Sequence, residues 1–383
     1  MAGTTISHAP PPDVSRVNMD GLRRGMDEAG LDLMVAASAD NFTYLTGSLL
    51  VSQKIIPSRL CMVVVPREDQ PYSFLCSYEE QQTRMESWIT EFHTYLEFAQ
   101  RPMAALAEHL KQRGFGAARI GIEKQFLAAC YVEELANALP EATLVGADQV
   151  FDAARAIKTP LEIELLTHAA NCTERAILEA FEAARPGDTE QKVADDLCTR
   201  ILNAGGTNQW IVLAVGSNTA INHPYPGDKR LDPGETLRVD VGAVFRGYQS
   251  DVARTAVVGP PNDEQRSIYD TLREVQQQTI AAARAGVRAC DVYDSAKRAL
   301  ANKGLAITSQ AVGHGFGVGM HEFPMLTAQE TAELKSGMVL NVEPAVKDSH
   351  GFLYHIEDLF VVTDAEPTVL TTVMNADNIF VIQ

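Results

Sequence analysis

The stretch from Thr236 to Val258 restricts the fold of this chain more than any other. Two apolar runs, Leu237-Arg238-Val239-Asp240-Val241-Gly242-Ala243-Val244-Phe245 and Tyr248 to Val258, are separated only by Arg246-Gly247. A two-residue connection ending in glycine between such runs predicts an antiparallel hairpin. Each run carries one aspartate, Asp240 and Asp251. With an even-numbered loop, residues of one odd and one even number face the same side. The two carboxylates are therefore expected opposite or diagonal to each other, within about 5–8 Å. Like charges held that close repel unless a cation lies between them. Two metal ions about 3.5–4 Å apart are bridged by such a pair. A solvated polar face is the plainer reading of the hairpin taken alone.

Three more candidates follow it in the chain. Gly313-His314-Gly315-Phe316-Gly317-Val318-Gly319-Met320-His321-Glu322 reads as a glycine-rich loop whose backbone passes close to a site and brings two histidines to it. His314 is a candidate ligand through a neutral imidazole, and His321 a donor that steadies developing negative charge. Glu343 ends the apolar strand Met338-Val339-Leu340-Asn341-Val342 just before Pro344, and Glu357 opens another ahead of Leu359-Phe360-Val361-Val362. Each would be an ordinary strand-end glutamate by itself. Together the carboxylates of Asp240, Asp251, Glu343 and Glu357 carry a charge of minus four, which two divalent cations neutralise. Buried charge needs compensation of that kind. His223, in Asn222-His223-Pro224-Tyr225-Pro226-Gly227, sits in a rigid, turn-rich loop.

The rest of the chain supplies two domains. At 383 residues it is long enough for two cores. Residues 1–15 read as a disordered N-terminus with a proline cluster and no apolar run of the signal-peptide kind. Residues 16–152 read as an α/β domain, with a helix from Val17 stopped by Gly30, strands at Leu31–Ala36, Leu60–Val65, Tyr72–Cys76, Arg119–Glu123 and Ala142–Val145, and helices near Gln100–Arg113 and Tyr131–Ala138. Residues 153–383 form the second domain. Thr159, Pro160 and Glu162 predict a capped helix start, with the helix running to Arg185 before Pro186-Gly187. Further helices are expected from Thr189 to Gly205-Gly206, at Asp263–Ala285 and at Cys290–Lys303. Strands are expected at Trp210–Val215, in the hairpin, at Met338–Val342 and at Ile356–Thr363. Strands mixed irregularly with helices make this domain α+β.

Composition narrows the partners. A net charge of −18 argues against nucleic acid and anionic membrane surfaces, and no apolar window reaches the roughly 18 residues of a spanning helix. Six cysteines occur with no CxxC pair. They read as buried reduced thiols, which favours a reducing, cytoplasmic setting.

At these residues the chain resembles the pita-bread metallopeptidases, which include Xaa-Pro aminopeptidases, prolidases, methionine aminopeptidases and creatinase. The likeness rests on Arg155-Ala156-Ile157-Lys158-Thr159-Pro160, on the hairpin from Asp240 to Thr255, on His314 to Pro324, and on Glu343 and Glu357. Asp40-Asn41-Phe42-Thr43-Tyr44-Leu45-Thr46-Gly47 is similar to a stretch of prolidase and creatinase N-terminal domains. The resemblance implies an α+β pita-bread domain preceded by an α/β creatinase-type domain. It implies that Asp240 binds one metal, that His314 and Glu343 bind a second, and that Asp251 and Glu357 bridge them. A metal-bridging hydroxide would attack an amide carbonyl, His321 would help hold the oxyanion, Glu343 would shuttle the proton, and His223 would contact the substrate. Mn²⁺ is the usual metal of the family, and Co²⁺, Zn²⁺ or Fe²⁺ also suit an oxygen-rich set with one histidine. A homodimer acting on a small peptide is the implied assembly.

Two departures bear on the substrate. Prolidase-type members usually have Arg-Ile-Glu-Asp around the last ligand, where this chain has His355-Ile356-Glu357-Asp358, and most have glycine where it has Ala345. That arginine supports the metal-binding carboxylates, and a histidine would make the support pH-dependent. The first reading is hydrolysis of Xaa-Pro peptides. The second is the same scaffold acting on a small non-peptide metabolite, as in ectoine hydrolase, creatinase or a dimethylsulfoniopropionate lyase. The complete ligand set argues against a creatinase-like mechanism, which lacks metals, and against a non-catalytic binding module, which has lost ligands. The lyase carries an extra acidic ligand near the first aspartate, where this chain has Val241 and Gly242.

Overall fold

A computed structural model of the chain describes residues 13–56 and 58–383. The chain divides into two compact units, one ending at Arg155 and the other running from Ala156 to Gln383. The expected disorder over 1–15 falls, for residues 1–12, outside the described residues. From there Asp13 caps a 3₁₀ turn at Val14–Arg16 by accepting the Ser15 N–H at 2.9 Å.

The first unit is built on a six-stranded sheet of β1 (Leu33–Ala36), β2 (Met62–Pro66), β3 (Tyr72–Cys76), β4 (Phe92–Tyr95), β5 (Arg119–Ile122) and β6 (Thr143–Gly146), in the order β4-β3-β2-β1-β5-β6. The β1, β2 and β3 contacts are antiparallel, and β5, β6 and β4 join in parallel. Every residue of β1, β2 and β3 is buried, because both faces of the sheet centre are covered. Helices α1 (Met19–Ala29), α2 (Ala39–Thr46), α3 (Val51–Ile55), α4 (Glu80–Glu86), α5 (Pro102–Gln112), α6 (Ala129–Ala138) and α7 (Asp148–Ala156) complete it. Met62, Phe74, Leu106 and Leu135 share one core.

The sequence pattern anticipates this unit's strands except β4, where only Tyr95 is buried, so no apolar alternation marks it. It also misses α2, α3, α4 and α7. Helix α2 contains Asp, Asn and two Thr, which are weak helix formers. It persists because Ser38 caps it, Gly47 ends it at φ 88°, and six of its residues are buried.

The second unit has two halves of similar construction. In the first, α8 (Pro160–Ala183) and α9 (Glu190–Asn203) pack on β7 (Thr207–Val215), β8 (Thr236–Phe245), β9 (Tyr248–Val258) and β17 (Phe380–Ile382), with Phe181, Leu197, Val239, Val241 and Phe245 in a common core. In the second, α10 (Asp263–Ala282) and α11 (Ala289–Asn302) pack on β10 (Ala311–Gly315), β11 (Glu322–Thr327), β12 (Val339–Val342), β15 (Asp358–Val361) and β16 (Thr368–Val369), with Leu272, Val292, Leu340 and Phe360 buried together. A small hairpin of β13 (Ala345–Lys347) and β14 (Leu353–His355) and a closing β17 (Phe380–Ile382) finish the chain. This is an α+β arrangement. Helix α8 starts at the expected capping box, where the Thr159 N–H donates to Glu162 Oε2 at 2.9 Å and the Glu162 N–H to Thr159 Oγ1 at 3.3 Å.

Three expectations need correction. The glycine-rich stretch is not simply a loop, since His314 lies in β10 and Glu322 opens β11. Strand β15 begins at Asp358, so Glu357 precedes it rather than opening it. The cysteines are not uniformly buried: all six are free thiols, but Cys130 is exposed and Cys172 and Cys198 are half-buried. Among the described residues no helix is long and apolar enough to cross a membrane.

Candidate metal centre

The β8–β9 hairpin turns at Arg246 and Gly247, which have φ of 51° and 84°, as a two-residue turn matched to strand twist requires. Phe245 pairs with Tyr248 and Gly242 with Asp251. Asp240 lies two residues along β8 from Gly242, so Asp240 and Asp251 share a face on the diagonal. Val239, Val241 and Phe245, on the opposite face, pack toward α8 and α9. Gly242 is required between the aspartates' strands, because a Cβ there would lie 2.1 Å from the Ser250 carbonyl and 2.4 Å from Trp210 Nε1.

The other half of the unit brings the remaining residues to that face. His314 is 1 % exposed. Its backbone N–H donates to Asn341 Oδ1 at 2.6 Å and its Nδ1 lies 2.9 Å from the Gly315 carbonyl. That contact makes Nδ1 the protonated nitrogen and leaves the Nε2 lone pair facing the carboxylates. Nε2 is 3.9 Å from Asp251 Oδ2 and 3.6 Å from Glu343 Oε1. Glu357 is fully buried, and its backbone N–H donates to the Ala253 carbonyl of β9 at 3.0 Å. One ligand atom each from Asp251, His314 and Glu357 lies within 4.8 Å of the others. Asp240 and Glu343 are half-buried beside this trio, and His355 stands between them, Nδ1 3.6 Å from Asp240 Oδ2 and Nε2 3.6 Å from Glu343 Oε2.

His321 is exposed, yet its ring centroid lies 4.1 Å from that of His314. His223 is exposed in the loop after the 3₁₀ turn Gly216–Ala220. Arg238 holds that loop by donating to the Asn222 carbonyl at 2.5 Å.

The electrostatics of the cluster are one-sided. Burial, reinforced by Glu357, Asp240 and Glu343, pushes the Asp251 carboxyl well above its usual range. Burial and the charges of Glu343 and Asp240 do the same to Glu357. Burial raises Asp240 too, against the pull of His355. Burial also opposes ionisation of Glu343, but the surrounding imidazoles of His355, His314 and His321 outweigh it and hold its carboxyl low. Burial lowers His314, against the pull of Glu343. Asp251 Oδ1 and Glu357 Oε2 are buried with no hydrogen-bond partner. Two orphaned carboxylate oxygens and a directed imidazole nitrogen form a set of converging acceptors. These donors fit divalent transition ions.

Several supporting residues went unread in the sequence. Asn341 donates from Nδ2 to Glu357 Oε1 at 2.5 Å and lies 2.9 Å from His314 Nε2. Its signal was a lone amide inside the apolar run Val339-Leu340-Asn341-Val342. Arg254, 1 % exposed, donates to the Glu357 carbonyl, to Glu174 Oε1 and, at 2.8 Å, to Asp358 Oδ1. Lys158 Nζ and Glu322 Oε2 form a buried ion pair at 3.0 Å, and Glu322 Oε1 accepts the Gly319 N–H at 2.8 Å, which ties down the segment bearing His321.

Known proteins share this architecture. A profile described as Metallopeptidase family M24 matches residues 164–364, more than half of the chain, and one described as Creatinase/Prolidase N-terminal domain matches residues 19–157. An Xaa-Pro dipeptidase from Lactobacillus delbrueckii subsp. lactis is 27% identical over 352 residues, covering 91% of this chain and 94% of that protein. The solved prolidase from Pyrococcus furiosus matches with a TM-score of 0.79 and 26% identity, over 92% of this chain and 100% of its own. An Xaa-Pro dipeptidase from Bacillus anthracis, at 24% identity, shares the fold with a TM-score of 0.84, over 95% of this chain and 99% of its own.

Proposed function

Because the chain belongs to metallopeptidase family M24 and is a metallohydrolase, we propose that it cleaves the amide bond ahead of proline in small Xaa-Pro peptides, using two divalent ions. Its fold is a creatinase-type α/β domain followed by an α+β pita-bread domain. The observation that carries the reading is the pair of buried, unpartnered oxygens on Asp251 and Glu357 beside the His314 lone pair. Asp240 would hold one ion, His314 and Glu343 the other, and Asp251 and Glu357 would span both.

Divalent ions bound there supply Lewis acidity, polarising the scissile carbonyl and bringing a water's pKa toward neutrality. The chain's own residues do the rest. Glu343, half-buried with its carboxyl held low beside His355, takes a proton at its carboxylate and passes it to the leaving nitrogen. His321, solvent-accessible beside His314, donates to the carbonyl oxygen as charge develops there. His223 meets the substrate from its exposed loop. Mn²⁺ is the first choice of metal, with Co²⁺, Zn²⁺ and Fe²⁺ as the others. A cytoplasmic homodimer completes the reading, and the free cysteines support the reducing setting.

The test is a substrate panel on Mn²⁺-reconstituted protein: Xaa-Pro dipeptides, longer Xaa-Pro peptides, dipeptides without proline, and a cyclic amidine such as ectoine. Turnover confined to the Xaa-Pro members is the expected result. Turnover of the cyclic amidine alone would replace the peptide reading with the metabolite one.

A further inference from the structure

We propose that His355 is itself a metal ligand, with Nδ1 binding the ion held by Asp240 and the Nε2–H donating to Glu343. The proposal deepens the two-ion reading and rests on it.

The ring is firmly placed. His355 ends β14 and is 6 % exposed. Its backbone N–H donates to Thr255 Oγ1 at 3.0 Å, and that hydroxyl donates back to the His355 carbonyl at 2.8 Å. Strand β9, which carries Asp251, therefore grips the histidine from both sides of its peptide. The imidazole is directed between two carboxylates, at 3.6 Å from each. Neither separation is a hydrogen bond, and Nδ1 is buried with no partner.

A neutral imidazole has one N–H and one lone pair. Placed between two carboxylates, the ring presents one nitrogen to Glu343 and the other, buried and unpartnered, to Asp240. A cation between Nδ1 and the facing Asp240 oxygen answers both atoms. The spacing suits one. Two donors about 2.1 Å from a common ion lie roughly 3.0–3.4 Å apart for angles between square and tetrahedral, so 3.6 Å closes on an ion with a movement of a few tenths of an ångström. His314 Nε2 stands at the same 3.6 Å from Glu343 Oε1 in the neighbouring part of the cluster. Glu343 thus has an imidazole on each oxygen. Metal at Nδ1 leaves the proton on Nε2, and the Nε2–H then orients Glu343, as a carboxylate orients a metal-bound histidine elsewhere.

The chemical consequence is a centre with two nitrogen ligands instead of one. Imidazole favours Zn²⁺ and Fe²⁺ over Mn²⁺ relative to an all-carboxylate site, so His355 should narrow, without reversing, this chain's preference for Mn²⁺. An arginine in its place would donate to both carboxylates and offer no lone pair.

Co²⁺ titration of the chelator-treated full chain, followed by visible absorption, tests this independently of turnover. Wild type should take up two ions with two distinguishable spectral changes. His355→Arg, which keeps the donors, should weaken one ion by at least about tenfold and change its band, and should shift relative affinity from Zn²⁺ toward Mn²⁺. His355→Ala should do the same, and added imidazole should restore the band. If His355→Arg binds both ions with wild-type affinity and spectrum, His355 is no ligand, while the two-ion reading stands. If wild type itself takes up fewer than two ions, the two-ion reading fails and this proposal with it.

Discussion

Glu123 in the first unit and Glu357 in the second are both carboxylates sunk in strand-rich cores, 4 % and 0 % exposed. Their surroundings are opposite. Glu123 accepts from the Ala37 N–H, from the Ser38 N–H at 2.8 Å and from Asn41 Nδ2 at 2.6 Å, and Arg155 steadies Asn41 from behind at 2.9 Å. Glu357 accepts one side-chain donor, from Asn341, and its other oxygen has none. Its nearest charges are more carboxylates. Donors converging on an acceptor make a structural joint, because each buried oxygen is satisfied within the fold. Acceptors converging on acceptors destabilise the ionised site until a cation arrives. On the proposed reading, the difference separates a carboxylate that holds the fold from one that would hold a cation.

The contrast breaks most sharply by substitution within the second group. Asp251→Asn or Glu357→Gln should remove at least one ion and lower turnover by about 10³-fold, the scale of the several kcal/mol that metal charge lends a transition state. Metal analysis beside kinetics checks it, and full activity in a metal-free variant would end the comparison. His321→Ala should keep the metal and slow turnover by about 10²-fold, as loss of one oxyanion donor does. An unchanged rate would remove His321 from its role. The smallest effect sharpens the other side. Glu123→Gln turns an amide N–H₂ toward existing donors and should lower stability by about 2 kcal/mol, read by denaturant unfolding, with metal content unchanged.

Legibility followed the range of the physics. The hairpin could be read because a two-residue loop sets register locally, and with it the shared face of Asp240 and Asp251. Helix α8 could be read from Thr159, Pro160 and Glu162 for the same reason. The glycine-rich segment misled because its glycines answer a distant neighbour: a Cβ on Gly313 would lie 2.1 Å from the Asn341 carbonyl. Only the adjoining strand makes glycine necessary there, and glycine in isolation reads as a loop. The Lys158–Glu322 pair, 164 residues apart, left no local mark. Strand β4 left none either, since edge strands need little apolar alternation.

What the chain alone determined is the kind of element each segment forms and which side chains it offers, since turns, caps and alternation act over a few residues. What tertiary structure decided is which of the offered polar atoms stay unanswered. Asp251, His314 and Glu357 become one centre, and His355 enters between Asp240 and Glu343, only when the two halves of the second unit close on each other. Charge and desolvation act through space, where neighbours along the chain have no privileged place.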